Sequence, residues 1–63
     1  MTKVLIAEDD KFLLMAYAAK MKKAGYEAVI AADGEEALVK AKNENPDIIL
    51  LDLECRKKMV LIH

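Results

Sequence analysis

Two acids stand side by side at Glu8-Asp9, directly after the apolar run KVLIA, and a third, Asp52, closes the apolar run DIILL. If the fold brings those strand ends together, the three carboxylates raise one another's pKa unless a cation sits among them. An oxygen-only donor set of this kind suits Mg²⁺ or Mn²⁺, with water filling the remaining octahedral positions. A carboxylate beside such a cation can also attack phosphorus and become an acyl phosphate, the metal neutralising the oxygens of the transferred group. The plainer reading of Glu8 and Asp9 is that they cap a helix and keep a strand end hydrated. Asp52 at a matching strand end favours the site.

The elements that must position these acids can be read from hydrophobic patterning. Residues 3–7, KVLIA, form a short continuous apolar run and read as a buried strand. From Lys11 to Ala24 the chain has good helix formers and no proline, with Lys20, Lys22 and Lys23 gathered where a helix dipole favours cations. Asp9 or Asp10 can cap its start, and Gly25 can stop it. Leu14, Tyr17, Ala18 and Met21 make one apolar stripe, and Phe12, Met15 and Ala19 lie beside it, so the helix expects cover on two sides. Residues 26–32, YEAVIAA, are a second strand. Asp33 with Glu36 three residues on reads as a capping box opening a second helix, whose face is Ala37, Leu38 and Ala41 and which ends at Asn45-Pro46. Residues 47–52, DIILLD, are a third strand, apolar on both faces.

The order is β-α-β-α-β. Helical crossovers between apolar strands imply a parallel sheet with one helix on each face. In a doubly wound sheet of strand order 2-1-3 the first and third strands are neighbours, and ligands bind at their carboxyl ends, where the winding reverses. That placement would bring Glu8, Asp9 and Asp52 to one point.

Composition excludes several classes. Sixty-three residues make at most one small domain, of a size that buries only about 60% of its unfolded surface. The single cysteine, Cys55, cannot form an internal disulfide, which leaves a metal or a partner chain as extra support and fits a reducing cytoplasm. The net charge of −1 comes with no basic stripe for nucleic acid. No apolar run approaches the ~20 residues needed to span a bilayer, and nothing resembles a signal peptide. The apolar fraction of 56% is high for so short a chain, and predicts apolar surface left over for association.

KVLIAEDD, AGYEAVIAADGEEAL and PDIILLDLE, taken together, closely resemble the receiver domain of two-component response regulators, across residues 3–54 without a gap. The resemblance implies a flavodoxin-like (CheY-like) α/β fold, present here as a truncated β-α-β-α-β half. It implies a phospho-acceptor signalling domain rather than an enzyme. Asp52 would take a phosphoryl group from a sensor histidine kinase. Asp9 would be a direct Mg²⁺ ligand, Glu8 a water-mediated one, and the main-chain carbonyl of Glu54 a further ligand. The family's strand-four hydroxyl residue and strand-five lysine have no counterpart in this sequence. The chain is therefore expected to carry the acceptor and metal acids without the groups that bind the phosphoryl oxygens.

The family's acceptor loop has the form D-x-x-M-P-x-x-D-G, and this chain departs from it at Cys55. Back-translation suggests why. If Glu54 is GAA, Cys55 TGC and Arg56 a CGN codon, reading one base early, from the last base of the Glu54 codon, gives Met-Pro-x-x-Asp/Asn-Gly through Val60. Residues 1–54 are thus expected to be the N-terminal half of a receiver, and residues 55–63 a tail translated out of frame. The tail's KMVLIH is still a strand candidate and could cover the bare edge of the third strand, in its own chain or a partner's. Two copies could instead pair those edges across a two-fold axis. Either way a homodimer or larger assembly is expected, with Phe12, Met15 or Ala19 exposed. The competing function is a self-associating half-fold with no phosphotransfer. Among the remaining residues, Asp10 reads as a cap, and Tyr17 and Tyr26 as packing residues with wet hydroxyls. Cys55 reads as incidental, and His63 as a chain end rather than a metal site.

Overall fold

The computed structural model describes residues 1–53 in full and the backbone course of residues 56–61. The element order is β1 (Lys3–Glu8), α1 (Lys11–Lys23), β2 (Glu27–Ala31), α2 (Gly34–Glu44), β3 (Ile48–Leu53) and β4 (Arg56–Leu61). The sheet order is β2-β1-β3-β4. The first three strands are parallel, as expected for order 2-1-3.

β1 is the central strand of the parallel set, and its side chains alternate between two cores. Val4 and Ile6 pack with Leu14 and Ala18 of α1, while Leu5 and Ala7 pack with Ala31 and with Ala37 of α2. The helices therefore cover opposite faces. This follows from right-handed crossovers: one connection steps outward from β1 to β2, the other steps back past β1 to β3. Leu5 and Ile6, one on each face, are fully buried.

Local chemistry sets the helix ends. Asp10 caps α1, its Oδ1 accepting from the amides of Phe12 at 2.9 Å and Leu13 at 3.2 Å. At the other end Gly25 takes φ +97°. Its amide donates to the Lys22 carbonyl, and the Tyr26 amide to that of Met21, both at 3.0 Å. This pair of bonds is the Schellman closure, with the hydrophobic contact it usually carries supplied by Met21 and Tyr26, which pack on the same core. Asp33 caps α2 by accepting from the Glu36 amide at 2.8 Å. Glu36 answers one residue further out than in a standard capping box, accepting from the Ala32 amide at 2.8 Å. Asn45, at φ 50°, ends the helix in the left-handed region just before Pro46.

The outer edge of β3 is covered by the chain itself. β4 pairs antiparallel with β3 from Ile48↔Leu61 to Leu53↔Arg56. This is one of the three ways of covering that edge that the sequence leaves open. Two residues between strands are too few for a parallel crossover, so the return must be antiparallel. On the opposite edge of the sheet, the Lys40 ammonium of α2 donates to the Ile30 carbonyl of β2 at 2.8 Å. At the amino end of β1, Lys3 donates to the last-turn Glu44 carbonyl of α2 at 2.8 Å, where the helix dipole favours a cation.

The cover is uneven. Every residue of β3 is only half-buried. An apolar groove of about 520 Å³ runs between α2 and β3, lined by Leu38, Ala41, Ile49, Leu51 and Leu53 among others. On α1, Phe12 is 88% and Met15 62% exposed, as the two-sided pattern of that helix leads one to expect. Among the described residues no helix is long and apolar enough to cross a membrane.

Candidate functional site

The parallel register sets Glu8 opposite Asp52 at the carboxyl ends of β1 and β3. Alternation along each strand carries both to the same face. Glu8 follows Val4 and Ile6, and Asp52 follows Ile48 and Leu50, all four on the α1 side. Two acids 44 positions apart in sequence are thereby cross-strand neighbours, the outcome the doubly wound reading requires.

Glu8 is 3% exposed, the only buried charged residue among those described. Its Oε1 accepts from the Asp10 amide at 2.9 Å, in the turn that starts α1. Its Oε2 is buried and has no hydrogen-bond partner among the described residues. Burial, foremost, pushes the Glu8 carboxyl above its ordinary value of 4.5; the neighbouring carboxyls of Asp52 and Asp9 push the same way, against the lowering effect of the Asp10 amide. Two ionised carboxylates offer only acceptors to one another. A proton on Glu8 turns the contact with Asp52 into a hydrogen bond, and a cation between them would remove the conflict outright.

Asp52 is half-buried, and its Oδ2 accepts a hydrogen bond from the Tyr17 hydroxyl at 2.8 Å. That bond, above all, raises the Tyr17 pKa; burial and the negative charges of Asp52 and Glu8 add to it. Asp9 is exposed in the turn between β1 and α1. Among the described residues no three His, Cys, Asp or Glu side chains stand together as a metal-binding group. The Glu54 carbonyl, the other ligand expected from sequence, lies outside the described residues, as do Cys55 and His63.

Tyr17 is the site residue that sequence reading missed. It was expected to pack with its hydroxyl in water; instead the ring packs beside Leu14 and Ala18 and the hydroxyl meets an acid. The signal was geometric. Helical side chains tilt toward the helix N-terminus. α1 begins at the carboxyl end of β1, so a long side chain on its sheet-facing stripe points back toward the strand ends where the acids lie. Asp10, read as a cap, is one, and its amide also holds Glu8.

Comparison with known proteins agrees with this geometry. The family model described as the response regulator receiver domain matches residues 4–58. The alkaline phosphatase synthesis transcriptional regulatory protein PhoP of Bacillus subtilis is 39% identical over 51 residues, which are 81% of this chain and 21% of that protein. The sensory transduction protein RegX3 of Mycolicibacterium smegmatis is 43% identical over 53 residues, 84% of this chain and 23% of that protein. The transcriptional regulatory protein PdtaR of Mycobacterium tuberculosis is 37% identical over 57 residues, 89% of this chain and 28% of that protein. The chain thus spans between about a fifth and somewhat over a quarter of the length of these relatives. No solved structure matches it significantly. The family match over nearly the whole chain, on a parallel sheet of order 2-1-3 with Glu8 and Asp52 at its carboxyl edge, makes this chain a member of the response regulator receiver domain family.

Proposed function

We propose that Asp52 is a phosphoryl acceptor and that Glu8 and Asp9, with Asp52 and the Glu54 carbonyl, hold a Mg²⁺ or Mn²⁺ ion. The observation that carries this is the Glu8–Asp52 pair in register at the carboxyl edge, with a buried Glu8 oxygen that no donor among the described residues satisfies. An oxygen-only set containing a buried acid whose ionised form is disfavoured is what a hard divalent cation suits. When bound, the cation would neutralise charge on the oxygens of the phosphoryl group. The chain's own part is to present Asp52. An Asp52 oxygen forms a bond to phosphorus as the bond from phosphorus to the donor atom breaks, and the electron pair leaves with the donor. Glu8, held at one oxygen by the Asp10 amide, offers its other oxygen next to Asp52 and would exchange its proton for the cation. By family, the donor is a sensor histidine kinase in the cytoplasm.

Incubation with phosphoramidate and Mg²⁺ followed by intact-mass measurement tests this reading. A gain of about 80 Da, absent in Asp52→Ala, is the expected result. Wild-type protein that gains no mass, or an Asp52→Ala chain that gains as much, overturns it.

A second reading has its own support. Phe12, Met15 and Leu38 are largely exposed and β3 is half-covered, which supports a self-associating half-fold, dimeric or larger, without phosphotransfer activity. Light scattering that finds a folded monomer at micromolar concentration contradicts it. We also infer that residues 55–63 are translated out of frame. If one base inserted after codon 54 of the gene fails to restore the receiver pattern, that inference falls.

A further inference from the structure

We propose that the Tyr17 hydroxyl competes with an incoming cation and phosphoryl group for Oδ2 of Asp52, and so holds the acceptor in a latched state. The inference rests on the reading of Asp52 as the acceptor.

The bond is 2.8 Å long and joins a phenol to a carboxylate, a charge-assisted pair of the stronger kind. It closes a separation of 35 positions between α1 and β3. The backbone under Tyr17 cannot drift away to relieve it. Leu14 and Ala18, on either side in the same stripe, are buried against Val4 and Ile6, and the helix start is tied to Glu8 through the Asp10 amide. Release must therefore come from rotation of a side chain, Tyr17 or Asp52, rather than from movement of the helix. The latched oxygen belongs to the residue that is to react, and the ring lies on the α1 side of the sheet, the face that carries both acids. A hydrogen bond to an attacking oxygen also draws off the electron density it needs. Once Asp52 carries a phosphoryl group the bonded oxygen loses its charge, and the phenol loses the acceptor that held it. Tyr17 is thus a positioning residue that acts through Asp52.

The chain has two tyrosines and no tryptophan, so Tyr26→Phe leaves Tyr17 as the single tyrosine reporter. A carboxylate-bonded phenol is quenched. Titration of Tyr26→Phe with Mg²⁺ is expected to raise Tyr17 emission saturably, and Asp52→Asn is expected to abolish the rise. In parallel, Mn²⁺ affinity is read from the free-ion electron paramagnetic resonance signal, with folding checked by circular dichroism. Tyr17→Phe is expected to bind Mn²⁺ about ten- to hundredfold more tightly than wild type, the range a hydrogen bond to a charged group supplies; Tyr26→Phe is expected to match wild type. Equal or weaker binding by Tyr17→Phe overturns the proposal, as does Mg²⁺ binding without a change in emission. Failure of the acceptor reading is seen separately, as no phosphoramidate adduct in either protein. Absence of Mn²⁺ binding in both proteins overturns the competition and the metal reading together.

Discussion

Glu8 concentrates the unusual chemistry of this chain: an acid buried in a small core, bonded at one oxygen and, among the described residues, unsatisfied at the other. Its raised pKa means the folded chain holds that proton more tightly than the unfolded chain does. The sign of the linkage follows. The contribution is fully present below the ordinary value of 4.5 and is lost as pH rises through the folded value. Glu8→Gln has no proton to lose. We therefore expect wild type to lose stability relative to Glu8→Gln as pH rises above about 4.5, measured as the difference in urea midpoints. Mg²⁺ should narrow that difference, because a cation can take the proton's place. Two midpoint curves that run parallel across the range would contradict this account of Glu8.

At the scale of elements, the site depends on how α1 is held. Asp10 opens the helix and donates its amide to Glu8, and Gly25 closes it in a conformation that side chains resist. Asp10→Ala should cost about 1 kcal/mol through the lost cap. Gly25→Ala should cost about 1–2 kcal/mol through backbone strain alone, since a Cβ there meets nothing within 4 Å. Denaturant unfolding measures both, and a neutral Gly25→Ala would show that φ relaxes. These ends were legible because caps are local: Asp, Gly and Asn-Pro act on backbone groups a few residues away. The strand order was legible too, since two crossovers and the handedness rule leave few arrangements. The Tyr17–Asp52 bond was not, because a period-3.6 stripe says which face a tyrosine shares and nothing about what its hydroxyl meets. The step of the Glu36 bond to Ala32 escaped for a similar reason: it is set by the extended approach to Asp33, which composition does not encode.

For the whole molecule, the balance is between a well-buried central strand and outer surfaces with thin cover. β1 is enclosed by strands on both edges and a helix on each face. β3 has a strand on each edge, yet its faces stay half-open. If the chain associates as proposed, the outer face of α1 is the first candidate contact, since Phe12 and Met15 are more exposed than the sheet beneath. Phe12→Ser combined with Met15→Ser should keep the far-ultraviolet spectrum and shift sedimentation toward monomer. An unchanged sedimentation profile would move the contact elsewhere, with the α2–β3 groove next in line.

The central claim is that Asp52, rather than the acids around it, accepts a phosphoryl group. After phosphoramidate and Mg²⁺ treatment, borohydride reduces an aspartyl phosphate to homoserine, and peptide mass spectrometry then reads the position directly. The account predicts homoserine at position 52, with Glu8 and Asp9 unchanged. Reduction at another acid, or at none while the protein remains folded, would contradict it.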